Sequence, residues 1–399
     1  MPEQNPTPVT GRTDSTVTAR DWAAVTALGL AVFTITTTEI MPIGLLQPMA
    51  ADLGVSEGLI GLTVTVFAFV AAVAAPTLSS LTRRIDRRRI ALAVMAVFVV
   101  GNTLTALAPN YATLVIVRVL IGVALGQMWT IVAPTAVALV STRHAVRANT
   151  IAFSGVSIAS VAGMPLGTFI GQLAGWRSAY WALSGLSAVT LVALAMFMTP
   201  VAPAGSLSLR RLPSMLRERN LRVTIIVTAL VITGAYAAYT YVTPLIVDTI
   251  GIDADLVSAV LLAMGVAGVA GNFAAGAFLA RTRSIRASLA ALVGLLALAL
   301  VLVVATSSLT PLVLVVLMVW SAGYAAIPIG LQTTVLRVAP THREAATTIY
   351  STTFNLSIGL GALVGAVAID RAGSLAPTLI GAICAVAALA VTLRLPTRV

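Results

Sequence analysis

Lysine is absent from this 399-residue chain: all 24 basic side chains are arginine. Without lysine there is no phosphate-cradling glycine loop ending in Lys, so ATP-driven chemistry by this chain is excluded. Charge of either sign is scarce, at 9% of residues against 59% hydrophobic. That is too little to clothe a soluble protein of this length. A single cysteine, Cys384, excludes an intrachain disulfide and a multi-cysteine metal site, and reads as a small buried hydrophobe. Only two histidines occur, His144 and His342, both in arginine-bearing connections, so no HExxH or CxxC metal spacing exists. Metal chemistry and a nucleophile–base constellation are both missing. The net charge of +11 is distributed in a way that argues against a nucleic-acid partner, and the exclusive use of arginine reads as the composition of a GC-rich bacterial genome.

What is present is a succession of apolar stretches of membrane-spanning length. They fall at 22–46, 58–80, 90–108, 112–140, 150–173, 180–199, 223–247, 256–280, 287–305, 311–336, 345–369 and 376–392. The fold class is therefore all-α integral membrane, with twelve transmembrane helices. Residues 1–20 are a polar tail without the pattern of a cleavable signal. Residues 21–199 form a first six-helix bundle, 200–222 an arginine-bearing inter-domain loop, 223–394 a second bundle and 395–399 a C-terminal tail.

Charge sorts by side. Alternate connections carry Asp52, Glu57, Asp248, Asp253, Asp255 and Asp370 against Arg177 and Arg371. The tails and the other connections carry 21 arginines against Glu3, Asp14, Asp21, Asp86, Glu218 and Glu344. The positive-inside rule places both termini in the cytoplasm.

The halves repeat. Leu53-Gly54-Val55 returns as Ile250-Gly251-Ile252, and Arg84 and Arg89 return as Arg281 and Arg286, all at an offset of 197. Gly163, Gly167 and Gly175 return as Gly361, Gly365 and Gly373 at 198. A direct repeat of six helices predicts a pseudo-two-fold axis along the membrane normal, with a site between the halves near the midplane.

Three segments carry a family resemblance: 37–46 running on to 50–56 (Thr-Thr-Glu-Ile-Met-Pro-Ile-Gly-Leu-Leu, then Ala-Ala-Asp-Leu-Gly-Val-Ser), 118–126 (Arg-Val-Leu-Ile-Gly-Val-Ala-Leu-Gly), and Gly163-Met164-Pro165-Leu166-Gly167 with Gly171 and Gly175-Trp176-Arg177. The chain resembles the major facilitator superfamily over about residues 20–395, and within it the twelve-helix bacterial drug:proton antiporter branch, including arabinose- and sugar-efflux-like and chloramphenicol-efflux-like transporters. The resemblance implies two pseudo-symmetric six-helix bundles, proton-linked export and a monomer. It also implies a loop after the second helix of the form Gly-x-x-x-Asp-Arg-x-Gly-Arg-Arg that latches the halves. Here that loop is 79–88, where Arg83 stands at the aspartate position and Asp86 at the second glycine. Arg84, Asp86, Arg87 and Arg88 are either parts of a modified latch or a topology anchor.

Glu39 is the carboxylate placed deep in a span, and Arg118 the arginine so placed. A carboxylate there must face a cavity, pair with a cation or bind a proton. Their depths match, at about 14 and 10 Å from one face at 1.5 Å per residue. We expect a Glu39–Arg118 ion pair that proton binding releases; the plainer reading ties Arg118 to backbone carbonyls. Trp129 shares the Arg118 face. Tyr236, Tyr239, Thr240 and Thr243 form an i, i+3, i+4, i+7 stripe suited to amphipathic solutes. Tyr324, Gln332 and Asn355 are further substrate-contact candidates, with interhelical packing as the alternative for each. Gly163, Pro165, Gly167 and Gly171 permit close helix packing, and Pro165 frees the carbonyl of Val161 and bends the helix.

The sequence thus predicts no enzyme but a proton-coupled exporter of a small molecule (a drug, sugar or related metabolite) in the bacterial plasma membrane. It needs no cofactor besides the proton gradient, and its partners are the solute, protons and the bilayer. An importer or facilitator of a sugar or nucleoside is the alternative on the same fold; a membrane-embedded enzyme is more distant.

Overall fold

Spans of this apolarity fold as helices because lipid offers backbone amides no partner but one another. The computed structural model describes residues 17–82, 84–202, 218–282, 284–339 and 343–395. Arg83, His342, both tails up to residue 16 and from 396, and most of the inter-domain loop (203–217) lie outside the described residues.

Among the described residues twelve long helices follow in order: α1 (Ala19–Gly44), α2 (Glu57–Leu78), α3 (Arg87–Ala106), α4 (Tyr111–Ala138), α5 (Ala145–Ala174), α6 (Trp176–Phe197), α7 (Arg219–Tyr239), α8 (Ala254–Arg281), α9 (Ile285–Thr306), α10 (Thr310–Val338), α11 (Ala346–Ala372) and α12 (Ala376–Thr392). Eleven have the length and apolarity to cross a bilayer. The 17 residues of α12 rise about 25 Å, at the short end of what a span requires. Local signals set the ends. Thr18 and Asp21 form a reciprocal capping box on α1, and Ser56, Asp86, Asn110 and Ser284 cap α2, α3, α4 and α9.

The expected spans hold to within a few residues except at α7. Predicted to run to 247, it stops at Tyr239, and the chain continues as a short turn of helix (Val242–Pro244) and a π-helical turn (Leu245–Thr249). Pro244 has no N–H for the carbonyl of Thr240 and its ring crowds that carbonyl, so the α-helical ladder breaks there.

Large apolar side chains point outward, as on Phe273, which is 77% exposed, while each half holds a buried core, that of the second half extending to Ile43, Val64, Ala68 and Met164 of the first. A third cluster joins the halves, packing Met41, Leu45, Ile60 and Trp176 against Tyr241, Ala366 and Ile369. It lies at the end whose connections carry the acidic residues, here called the acidic face.

The internal repeat is conformational. Among the described residues those with positive φ are Gly54 (63°) with Gly251 (76°), and Gly175 (83°) with Gly373 (82°). These are the pairs at offsets 197 and 198, and each closes a helix where a side chain would be strained. The same symmetry governs the approach of the halves. Gly265 of α8 lies on the backbone of Ser160 and Val161 in α5, and Gly359 of α11 lies on Phe69 and the carbonyl of Thr65 in α2.

Candidate functional site

The space between the halves is lined by side chains that sit in mid-span yet keep partial exposure. Glu39 of α1, Tyr236 and Tyr239 of α7 and Tyr324 of α10 are all of this kind. Tyr239 stacks on Tyr324 with ring centroids 4.7 Å apart and planes 16° apart. Tyr236 meets Tyr324 edge-on at 5.9 Å, and Tyr239 meets Trp320 edge-on at 6.4 Å. Glu39 lies within electrostatic reach of Tyr236 and Tyr324, so the carboxylate of the first half faces the aromatic wall of the second.

Arg118 is elsewhere. It is 1% exposed and belongs to the interior of the first bundle. Its Nη1 donates to the carbonyl of Thr38 at 3.1 Å and its Nη2 to the Tyr180 hydroxyl at 2.6 Å. Its guanidinium also lies 5.8 and 5.6 Å from the ring centres of Phe67 and Tyr180. The expected ion pair with Glu39 is not formed; among the described residues the carboxylate has no cationic partner. The reason is helical phase. Thr38 and Glu39 are adjacent, hence about 100° apart around α1, so a group that reaches Thr38 from inside the bundle is turned away from Glu39.

The arginine has a backbone task that the sequence already contained. Pro42 sits inside α1, four residues after Thr38. It has no N–H to give the Thr38 carbonyl, and Arg118 supplies the missing donor. Around this point runs a buried polar seam: Asn102 Nδ2 donates to the hydroxyls of Thr38 and Ser187, both at 3.2 Å, and Thr34 meets Thr190 at 3.3 Å.

The remaining candidates divide. Trp129 stacks on Phe153 of α5 at 6.2 Å instead of following Arg118 to α1 and α6. Because α7 ends at Tyr239, its stripe does not continue. Thr240 is fully buried, and the Thr243 hydroxyl donates to the carbonyl of Ile43 at 2.8 Å. Thr243 is therefore a contact between the halves and not a wall of the cavity. Asn355 donates to the Ser351 carbonyl of its own helix at 2.9 Å, and Gln332 is exposed near the end of α10. Trp320, fully buried behind Tyr239, was not among the sequence candidates; one turn before Tyr324 on the same helix, it was legible from its spacing of four.

The glycine motif of α5 faces α1. A Cβ on Gly163 would meet Thr37, on Gly167 Met41 and on Gly171 Leu45, a register of four on both helices that fits two helices running the same way. Just before it, Ala159–Gly163 form a π-helical turn, at the place where Pro165 removes the donor for Val161. In the altered loop, Asp86 Oδ1 accepts from the backbone of Arg88 at 2.7 Å and of Val201 at 3.2 Å. Arg87 is buried and its amide donates to the Val201 carbonyl at 3.1 Å, Arg88 reaches the Ala195 carbonyl at 2.7 Å, and Arg84 is exposed. The partners of Asp86 are Arg88 of the first bundle and Val201 at the start of the inter-domain loop.

The named hydrogen bonds between the halves cluster at the acidic face. Besides Thr243–Ile43 they are Gln47–Asp248, Ser56 and Gly58 with Asp370, and Gln172–Ala254. They tie the end of α1 and the helical turn after it to the segment that follows α7, α2 to α11 and α5 to α8, and with the shared apolar cluster they hold the halves closed together at that end.

Comparison with known proteins follows this architecture. Residues 27–362 match the sequence profile of the Major Facilitator Superfamily. Among solved structures, a bacterial homologue of the human lysosomal transporter Spinster, in an inward-facing and unoccupied conformation, is similar with a TM-score of 0.74. It is 14% identical and the match covers 94% of this chain and 96% of that one. The human organic anion transporter MFSD10 (TETRAN) is similar with a TM-score of 0.67 at 18% identity, covering 94% and 99% of the two chains.

Proposed function

The chain belongs to the major facilitator superfamily, and on that premise we propose that it is a proton-coupled secondary transporter that exports a small amphipathic solute by alternating access. The observation that carries the reading is Glu39: a mid-span carboxylate with no cationic partner among the described residues, facing an aromatic wall across the space between the halves. Such a group is costly in lipid unless it exchanges a proton or meets a solute. The tyrosines supply flat apolar surface and hydroxyls, the lining amphipathic molecules require. Arg118 serves the cycle by holding α1 rigid at the residue before Glu39.

The arginine-rich connections assign the opposite face to the cytoplasm and the acidic face to the outside. On that assignment the sealed end is the outer one and the conformation is inward-facing.

The test is an accumulation panel of chloramphenicol-like drugs, sugars and nucleosides in an efflux-deficient bacterial host, with and without a protonophore. Export lowers accumulation of at least one compound, and the protonophore abolishes the difference. Glu39→Gln is expected to leave the protein in the membrane but to collapse the gradient. A Glu39→Gln protein that still pumps with unchanged proton dependence overturns the coupling assignment. Expression that raises accumulation instead supports import.

A further inference from the structure

We propose that Asp370 is the catch of the outer gate: carried at the end of α11 in the second half, its carboxylate caps the N-terminus of α2 in the first half and thereby holds the outer face closed. The first turn of any helix has amide protons without partners inside the helix and a partial positive charge. At α2 the cap is shared between halves. Ser56, the N-cap residue, accepts from the amide of Leu59 at 3.2 Å and gives its own hydroxyl proton to Asp370 Oδ2 at 2.8 Å. Asp370 Oδ1 accepts from the Gly58 amide at 3.1 Å. One carboxylate thus meets a hydroxyl and a backbone amide across the interface. Gly58 makes the approach possible, because a Cβ there would lie 2.6 Å from the carboxylate carbon.

The internal symmetry singles out the same place twice. Position 370 corresponds to 172 at the offset of 198, and 57 corresponds to 254 at the offset of 197. In the other helix pair Gln172, near the end of α5, donates its amide Nε2 to the carbonyl of Ala254 at the start of α8, at 2.5 Å. The two clasps are equivalent in position and unequal in chemistry. The Gln172 clasp is neutral and ends on a carbonyl; the Asp370 clasp sets a negative charge against the positive end of a helix. The charged one is therefore the stronger restraint.

Opening the outer face must part α2 from α11 and break this cap, while opening the inner face leaves it intact. Opposing it are the like charges on the same edge. Glu57 lies within electrostatic reach of both Asp248 and Asp370, and Asp248 is held by Gln47 Nε2 at 3.1 Å. Arg371, the next residue of α11, is exposed. A cap that is opposed in this way sits near balance, so removing it shifts the population of conformations instead of unfolding a bundle.

The experiment reads the gate directly and needs no substrate, so it stands or falls apart from the export reading. Spin labels are placed at the exposed outer positions Leu107→Cys, after α3, and Ser308→Cys, between α9 and α10, in a Cys384→Ser background of the full chain in lipid nanodiscs. Distance distributions are measured by pulsed electron resonance. Asp370→Ala is expected to raise the outer-open population about threefold to tenfold. Asp370→Asn, which keeps an acceptor without the charge, falls between it and the parent. Gln172→Ala produces a smaller rise than Asp370→Ala. Ser56→Ala, on the other half, moves the population in the same direction, and it carries the test should Asp370→Ala fail to fold. Unchanged distributions in Asp370→Ala and Ser56→Ala, or a larger opening in Gln172→Ala, overturn the assignment.

Discussion

If Arg118 is held where Pro42 leaves a carbonyl bare, restoring the amide proton must make the arginine partly redundant. Pro42→Ala supplies that proton, four residues after Thr38, to the carbonyl that Arg118 Nη1 now serves at 3.1 Å. Arg118→Met keeps an apolar stem of similar length and removes the donor. Hydrogen bonds from charged donors are worth about 1.5–3 kcal/mol each. Arg118 makes two, to Thr38 and Tyr180, while its Nε lacks a partner. Relief of that buried charge offsets part of the loss, so Arg118→Met alone is expected to destabilise by about 2 kcal/mol. In the Pro42→Ala background one of the two bonds is replaced by the ladder of α1 itself, and the cost falls by about 1 kcal/mol. The assay is a double-mutant cycle on reversible unfolding of the four proteins in mixed detergent micelles. Costs that add within about 0.5 kcal/mol, the scatter for independent sites, would refute the link between proline and arginine.

Other outcomes follow from single contacts. Gly155→Ala would drive its Cβ to 2.6 Å from the backbone nitrogen of Phe33, whereas at Gly167 the obstacle is the flexible end of Met41. Thermal denaturation should therefore show Gly155→Ala losing about 1–3 kcal/mol and Gly167→Ala markedly less. Asp86→Ala removes the cap of α3 and the tie to Val201, and should lower stability by about 1 kcal/mol while leaving the outer-gate distances unchanged. At the acidic face, the hydrogen bond from Arg177 holds the Asp52 carboxyl below its ordinary range, with Trp176 adding a second donor. Because the folded value is lowered, this stabilisation is complete above the ordinary carboxylate value of about 4 and is lost as pH falls through the folded one. Asp52→Asn should thus cost the same small increment, about 1 kcal/mol or less at this exposed pair, at pH 7 and pH 5, with the difference vanishing only in stronger acid.

The twelve helices were legible because lipid imposes one rule on every span, and apolar length alone records it. The repeat was legible because Gly54, Gly175, Gly251 and Gly373 each close a helix with a positive φ that other residues avoid. Glu39 and the tyrosines of α7 and α10 stood out as polar groups in apolar helices, and Glu39 lies within electrostatic reach of Tyr236 and Tyr324 across the halves. The stripe from Tyr236 to Thr243 was over-extended because Pro244 was passed over as a helix breaker. The loop at 84–88 resembled a latch by position; in this conformation its aspartate caps α3 and ties the start of the inter-domain loop to it.

Sequence by itself therefore determined the solvent, the number of spans, the two-fold repeat and the residues too polar to be idle. Tertiary structure decided their partners. Depth in the membrane is a sum of residue rises and can be counted along a chain, so Glu39 and Arg118 were rightly placed near the same level. Direction around a helix turns through 100° at every residue, and which neighbour stands in that direction depends on how the bundles pack. One step of that rotation separates the carboxylate that faces the cavity from the carbonyl that holds the arginine.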